Sequence, residues 1–84
     1  MSQHTPNELT EIFKRDAALV SKLKQNDAHF AKLADEYHEV NRAVHRNESE
    51  VEALSDEHAA ALKAQRLGLL DEITAIVAKA RTDA

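Results

Sequence analysis

The 84 residues predict an all-α protein: an antiparallel helical hairpin with coiled-coil character, preceded by a short N-terminal helix. Turn material is nearly absent, with one Gly and one Pro, whereas Ala, Leu, Glu, Lys and Arg, all strong helix formers, dominate the chain. Apolar residues recur at helical spacing, and helix-start signals occur at three points. Together these observations predict one domain over 1–84, with helices near 6–24, 27–48 and 55–81.

The first start is Thr5-Pro6-Asn7-Glu8, a capping box with Pro at the first helical position. Glu8 and Glu11 open that helix, and Lys22 and Lys24 close it, the charge order that a helix dipole favours. Asn26-Asp27 offers a second cap, followed by Asp35, Glu36 and Glu39 in the first half of the helix and Arg42 and Arg46 in the second. Ser55 supplies a third N-cap oxygen, with Asp56 and Glu57 in the first turn and Lys79 and Arg81 at the far end. Gly68 lies inside this last helix, as an exposed residue or at a close approach of another backbone.

Phe30, Leu33, Tyr37, Val40 and Val44 repeat at alternating steps of three and four, the seam of a coiled coil. Extended backwards, the same register catches Leu23, Leu19, Ile12 and Leu9, with Asp16 and Asn26 as polar exceptions; forwards it reaches Val51 and Leu54, with Asn47 as the exception. One helix over 9–54, kinked near Asn26, is therefore the alternative to a break at 24–27. Caps and charge order favour the break. After residue 54 the phase slips, and Leu62, Arg66, Leu69, Ile73, Ile76 and Ala80 form a new seam, widened by Leu70 and Val77. A phase change beside a capped acidic segment reads as an αα-hairpin, with Val44 nearer Leu62 and Leu33 nearer Ile73.

Net charge is −4, and all of it sits in segment 47–58, where Glu48, Glu50, Glu52, Asp56 and Glu57 stand without a base. Such a balance argues against nucleic acid as the main partner, because those binders present a dense basic face. The absence of Cys excludes disulfides, thiolate nucleophiles and zinc–sulfur sites. No apolar run is long enough to span a bilayer, and Met1–Glu11 has no charged-then-apolar signal pattern, so no membrane association and a cytoplasmic location are expected.

Candidate chemistry is sparse. Five His invite a metal hypothesis, but Asp35-x-x-His38 is the one pair resembling a helical ligand motif, and His38 and His45 are seven residues apart. Ser2, Ser21, Ser49 and Ser55 have no loop scaffold for a base and oxyanion hole, and Asp35-Glu36 and Asp71-Glu72 read as solvated helix face. No catalytic, metal or cofactor-binding residue is therefore assigned, and the chain is not expected to be an enzyme. Arg42, Arg46, Lys63 and Arg66 could face one another as a small basic patch, the basis of an alternative nucleic-acid or ribonucleoprotein role; a metal-binding helical protein is the second alternative.

Residues 27–46, Asp-Ala-His-Phe-Ala-Lys-Leu-Ala-Asp-Glu-Tyr-His-Glu-Val-Asn-Arg-Ala-Val-His-Arg, with Ser55-Asp-Glu-His and Arg66-Leu-Gly-Leu-Leu-Asp-Glu-Ile73, resemble the YdcH-like family of small bacterial proteins of unknown function. The likeness extends over roughly residues 19–78. It implies a coiled-coil hairpin, no cofactor and no established activity. Leu70 replaces the Lys usual before Asp-Glu in that family, and Asn47 replaces an aliphatic residue near the hairpin tip.

The expected function is helix–helix contact: a module that self-associates or docks on a partner helix through Leu19, Leu23, Phe30, Leu33, Tyr37, Val40, Val44, Leu62, Leu69, Ile73 and Ile76. The large apolar residues look few for a chain of this length to fold alone, so a homo-oligomer, in the first instance a dimer, is expected, with Phe30, Tyr37 and the first helix near its interface.

Overall fold

A computed structural model describes residues 8–48 and 55–83, all-helical apart from short connections. Four α-helices follow in order: α1 (Leu9–Ile12), α2 (Ala17–Asn26), α3 (Ala28–Glu48) and α4 (Asp56–Asp83), with a 3-10 turn at Lys14–Asp16 between the first two. The Thr5-Pro6-Asn7 part of the first capping box, and the seam positions Val51 and Leu54, lie outside the described residues.

Two expected caps are formed as hydrogen bonds. Asp27 Oδ1 accepts from the Phe30 backbone N–H at 3.1 Å, and Ser55 Oγ accepts from the His58 backbone N–H at 3.1 Å. Asp27 does double service: its own N–H donates to the Leu23 carbonyl at 2.8 Å, closing α2, and its carbonyl accepts from Ala31 at 2.9 Å, opening α3. Its extended backbone (φ −123, ψ 103) turns the chain. The break expected between residues 24 and 27 is thus a single-residue hinge at Asp27, and the continuous 9–54 helix is not formed.

The N-terminal helix is corrected by the structure. A continuous helix to residue 24 was expected, but the described part breaks at Phe13 (φ −110, ψ 48). Leu9 and Phe13 are buried at 0% and 8% exposure, while Ile12, which the seam register would have put inside, stands 40% exposed. Val20 rather than its neighbour Leu19 lies in the fully buried layer, and with Leu9 and Phe13 it keeps the spacing of one helix face across the break.

Chain length makes the hairpin antiparallel. The 21 residues of α3 cover about 31 Å at about 1.5 Å per residue. The short stretch from Ser49 to Ser55 reaches no more than about 25 Å when fully extended, too little to return to the start of α3. So α4 runs back along α3. Register is marked by Arg66, whose Nη1 donates to Asn41 Oδ1 at 3.0 Å. In that register Val44 falls beside Leu62–Lys63 and Leu33 beside Ile73–Thr74. The longest dimension of the molecule, 43 Å, is about the length of α4 alone.

The core joins all three layers: Leu9, Phe13 and Val20 from the N-terminal part, Phe30, Leu33, Ala34, Tyr37, Val40 and Val44 from α3, and Leu69, Ile73 and Val77 from α4. Gly68 is exposed, and a Cβ there would meet nothing within 4 Å, so no close backbone approach explains it.

Loss of either cap, in Asp27→Ala or Ser55→Ala, is expected to cost about 1 kcal/mol in urea unfolding. Val44→Asp should abolish the cooperative transition, because it buries an unpaired carboxylate where Val44 is now 2% exposed.

Candidate helix–helix interface

Of the eleven residues expected to form the interaction seam, seven (Phe30, Leu33, Tyr37, Val40, Val44, Leu69 and Ile73) are buried, and Leu19, Leu23, Leu62 and Ile76 are partly buried against them. Their partners are other elements of the same chain. Phe30 at 0% and Tyr37 at 1% are already covered within one copy, so neither is an open surface. Among the described residues, the exposed large apolar side chains are Ile12 and Leu67, 40% and 60% exposed.

Those two side chains share a shallow groove of about 350 Å³, lined also by Tyr37, Lys63, Arg66 and Leu70. Arg66 is held there by Asn41, which is 0% exposed and the one buried polar residue of the described core. A hydrogen bond between a neutral amide and a cation is stronger than a neutral pair, contributing about 1.5–3 kcal/mol. Burial pushes the Tyr37 phenol above its ordinary pKa of 10.0; the Arg66 cation opposes that rise and Glu8 adds to it. The Tyr37 and His38 rings meet edge-on, with centroids 6.3 Å apart.

Two polar contacts tie the N-terminal segment to the hairpin. Glu8 Oε2 and His38 Nδ1 lie 2.5 Å apart, and both atoms are shielded from solvent. Arg81 makes a two-point contact with Asp16, Nη2 to Oδ2 at 2.6 Å and Nε to Oδ1 at 3.3 Å. The polar interruption of the seam at Asp16 is thereby explained: the 3-10 turn brings its carboxylate to the end of α4.

Arg42 lines one cleft, with Glu8, Asp35, His38 and Glu39, whereas Lys63 and Arg66 line the groove on α4. Of the four cations expected to make one patch, these three are divided between two clefts, and acids accompany Arg42. Asp35 and His38 do share a cleft, but no group of three or more His, Asp or Glu among the described residues is placed to hold a metal ion. Leu9 and Val77 had been marked as extensions of the two seams, but Phe13, Val20, Ala34 and Asn41 join the core without a sequence assignment. Asn41 had a readable signal: it stands between Tyr37 and Val44 at steps of four and three, where a polar side chain needs a partner across the helix pair.

The arrangement defines an all-helical protein in which a long two-helix hairpin is flanked by an N-terminal helical segment. Residues 30–77 match the model of a family described as "Protein of unknown function (DUF465)", and the chain belongs to that family. The match spans most of α3, the connection and α4 through its last fully buried residue, Val77, and leaves α1 and α2 outside. No curated protein and no solved structure matches the chain. No helix among the described residues is long and apolar enough to cross a membrane.

Two measurements test this geometry. Asn41→Ala should destabilise the protein by about 1–3 kcal/mol, while the double variant Asn41→Leu/Arg66→Met should recover much of that loss, as expected when both polar partners are replaced by apolar groups. Tyr37 is the only Tyr and there is no Trp, so tyrosinate absorbance reports it alone. The folded phenol should titrate above 10.0. Because the unfolded chain gives up that proton first, stability should fall as pH rises through and beyond about 10, and Tyr37→Phe should remove that part of the alkaline loss.

Proposed function

We propose that this chain is a non-catalytic helical interaction module, a YdcH-like protein of the bacterial cytoplasm that acts by helix–helix contact and associates with itself, as a dimer in the first instance. The observation that carries this reading is the distribution of apolar groups on α4. Leu69, Ile73 and Val77 face the core of the same chain, but Leu67 points outward beside the groove that Ile12 borders. A surface helix serving one core keeps its apolar residues in one stripe; α4 has little such asymmetry. Leu67, Leu70 and Ile12 with Lys63 and Arg66 suit a second amphipathic helix with an acidic edge. The YdcH-like assignment rests on the α3 and α4 motifs quoted above.

Sedimentation equilibrium at micromolar concentrations, with circular dichroism on the same samples, tests the reading. Mass should rise with concentration above that of one chain. Leu67→Ser combined with Ile12→Ser should weaken association at least about tenfold, since each large apolar side chain kept from water contributes about 1.5–3 kcal/mol, and helicity should be unchanged. A monomer at every concentration would contradict self-association and leave a helix of another protein as the occupant.

A further inference from the structure

On α4, Asp56, Ala60, Lys63 and Leu67 follow one another at steps of four, three and four, so they line one face of the helix. All four are exposed. This stripe lies roughly 100° round the helix from the Leu69–Ile73–Val77 core stripe, given about 3.6 residues per turn. It is acidic at its N-terminal end, small at Ala60 and its neighbours Ala59 and Ala61, and cationic then apolar at Lys63 and Leu67. Charge order along the stripe specifies which way a second stripe can lie upon it.

We propose that this face binds the same face of a second copy, α4 antiparallel to α4, about a two-fold axis near Ala60. The inference rests on the self-association reading and specifies its geometry. With the axis there, Asp56 and Glu57 of each copy come opposite Lys63 of the other, so the contact is made twice. The Ala residues at the crossing let the helices approach closely, and Leu67 of each copy stands at the end of the contact, about one turn beyond Asp56 of the other. A parallel pairing would instead set Asp56 against Asp56 and Lys63 against Lys63. Opposite charges aligned in this way chiefly select partner and orientation, while Ala59, Ala60 and Ala61 supply the close apolar contact at the crossing.

The absence of native Cys permits a direct test. Ala60→Cys in the full-length protein, under mild oxidation, should form a disulfide-linked dimer quickly, because the two-fold brings the two positions together within disulfide reach. Thr74→Cys, also exposed and on the same face, should not, since its two copies would stand about 42 Å apart at about 1.5 Å per residue. In sedimentation, Lys63→Glu should weaken the dimer about tenfold, and Lys63→Glu with Asp56→Lys should restore it, with helicity unchanged throughout. Association of the unmodified protein combined with crosslinking at residue 74 equal to that at residue 60, or with Lys63→Glu having no effect, would overturn this interface and leave self-association standing. A monomer under all conditions, with no crosslink at residue 60, would overturn both.

Discussion

The packing of α3 between two neighbours is the constraint on which the rest of the structure depends. Its seam, from Phe30 to Val44, carries more apolar surface than one adjacent helix covers. The α4 helix lies along one side, and Leu9, Phe13 and Val20 of the N-terminal segment complete the enclosure. Tyr37 stands where the layers meet, with its ring in the core and its phenol near Glu8 and Arg66. Asn41 then sets how α4 may slide along α3. Apolar ridges tolerate shifts in register, but a buried amide must meet its donor, and here Arg66 supplies it. Buried polar groups fix register in helical pairs elsewhere, usually at a cost in stability.

The N-terminal segment is held by apolar burial more than by its polar contacts. Arg81 is 57% exposed at its side chain, and pairs of that kind contribute about 0.2–1 kcal/mol. The Glu8–His38 contact is better shielded, and it lies close to Leu9, which is fully buried. The pairs are better understood as positioning contacts: one holds the start of the segment to the middle of α3, the other holds the 3-10 turn to the end of α4. The family match, residues 30–77, covers the hairpin and not this segment.

Much of this was legible in the residues themselves. The caps at Asp27 and Ser55 could be read because capping depends on local chemistry, a side-chain oxygen within reach of a backbone N–H three residues on. The α3 seam was legible because its period of three and four extends over fifteen residues without a competing pattern. The break at Phe13 was not. No Pro or Gly marks it, and the 9–19 stretch fits a continuous helix on which Leu9 and Phe13 would share one face, so nothing local announces it. Asp16 was misread for the same reason, as an exception in the seam, since its partner Arg81 is 65 residues away. The groove was only partly foreseen. Tyr37, Arg66 and Leu70 were noted on their separate helices, but Leu67 carried no periodic signal and became conspicuous only when α3 and the N-terminal segment left it uncovered.

The self-association we propose places a second copy on an outer face of α4, outside a core that one chain builds for itself. Hydrogen exchange at several protein concentrations, resolved by residue, tests it most directly, because protection reports the opening of each region separately. Protection at Leu33–Val44 should be the same at low and high concentration, while protection around Ala60–Leu67 should increase with concentration. Core protection at Leu33–Val44 that falls away on dilution together with that of α4 would contradict the account, because the second copy would then be part of the fold.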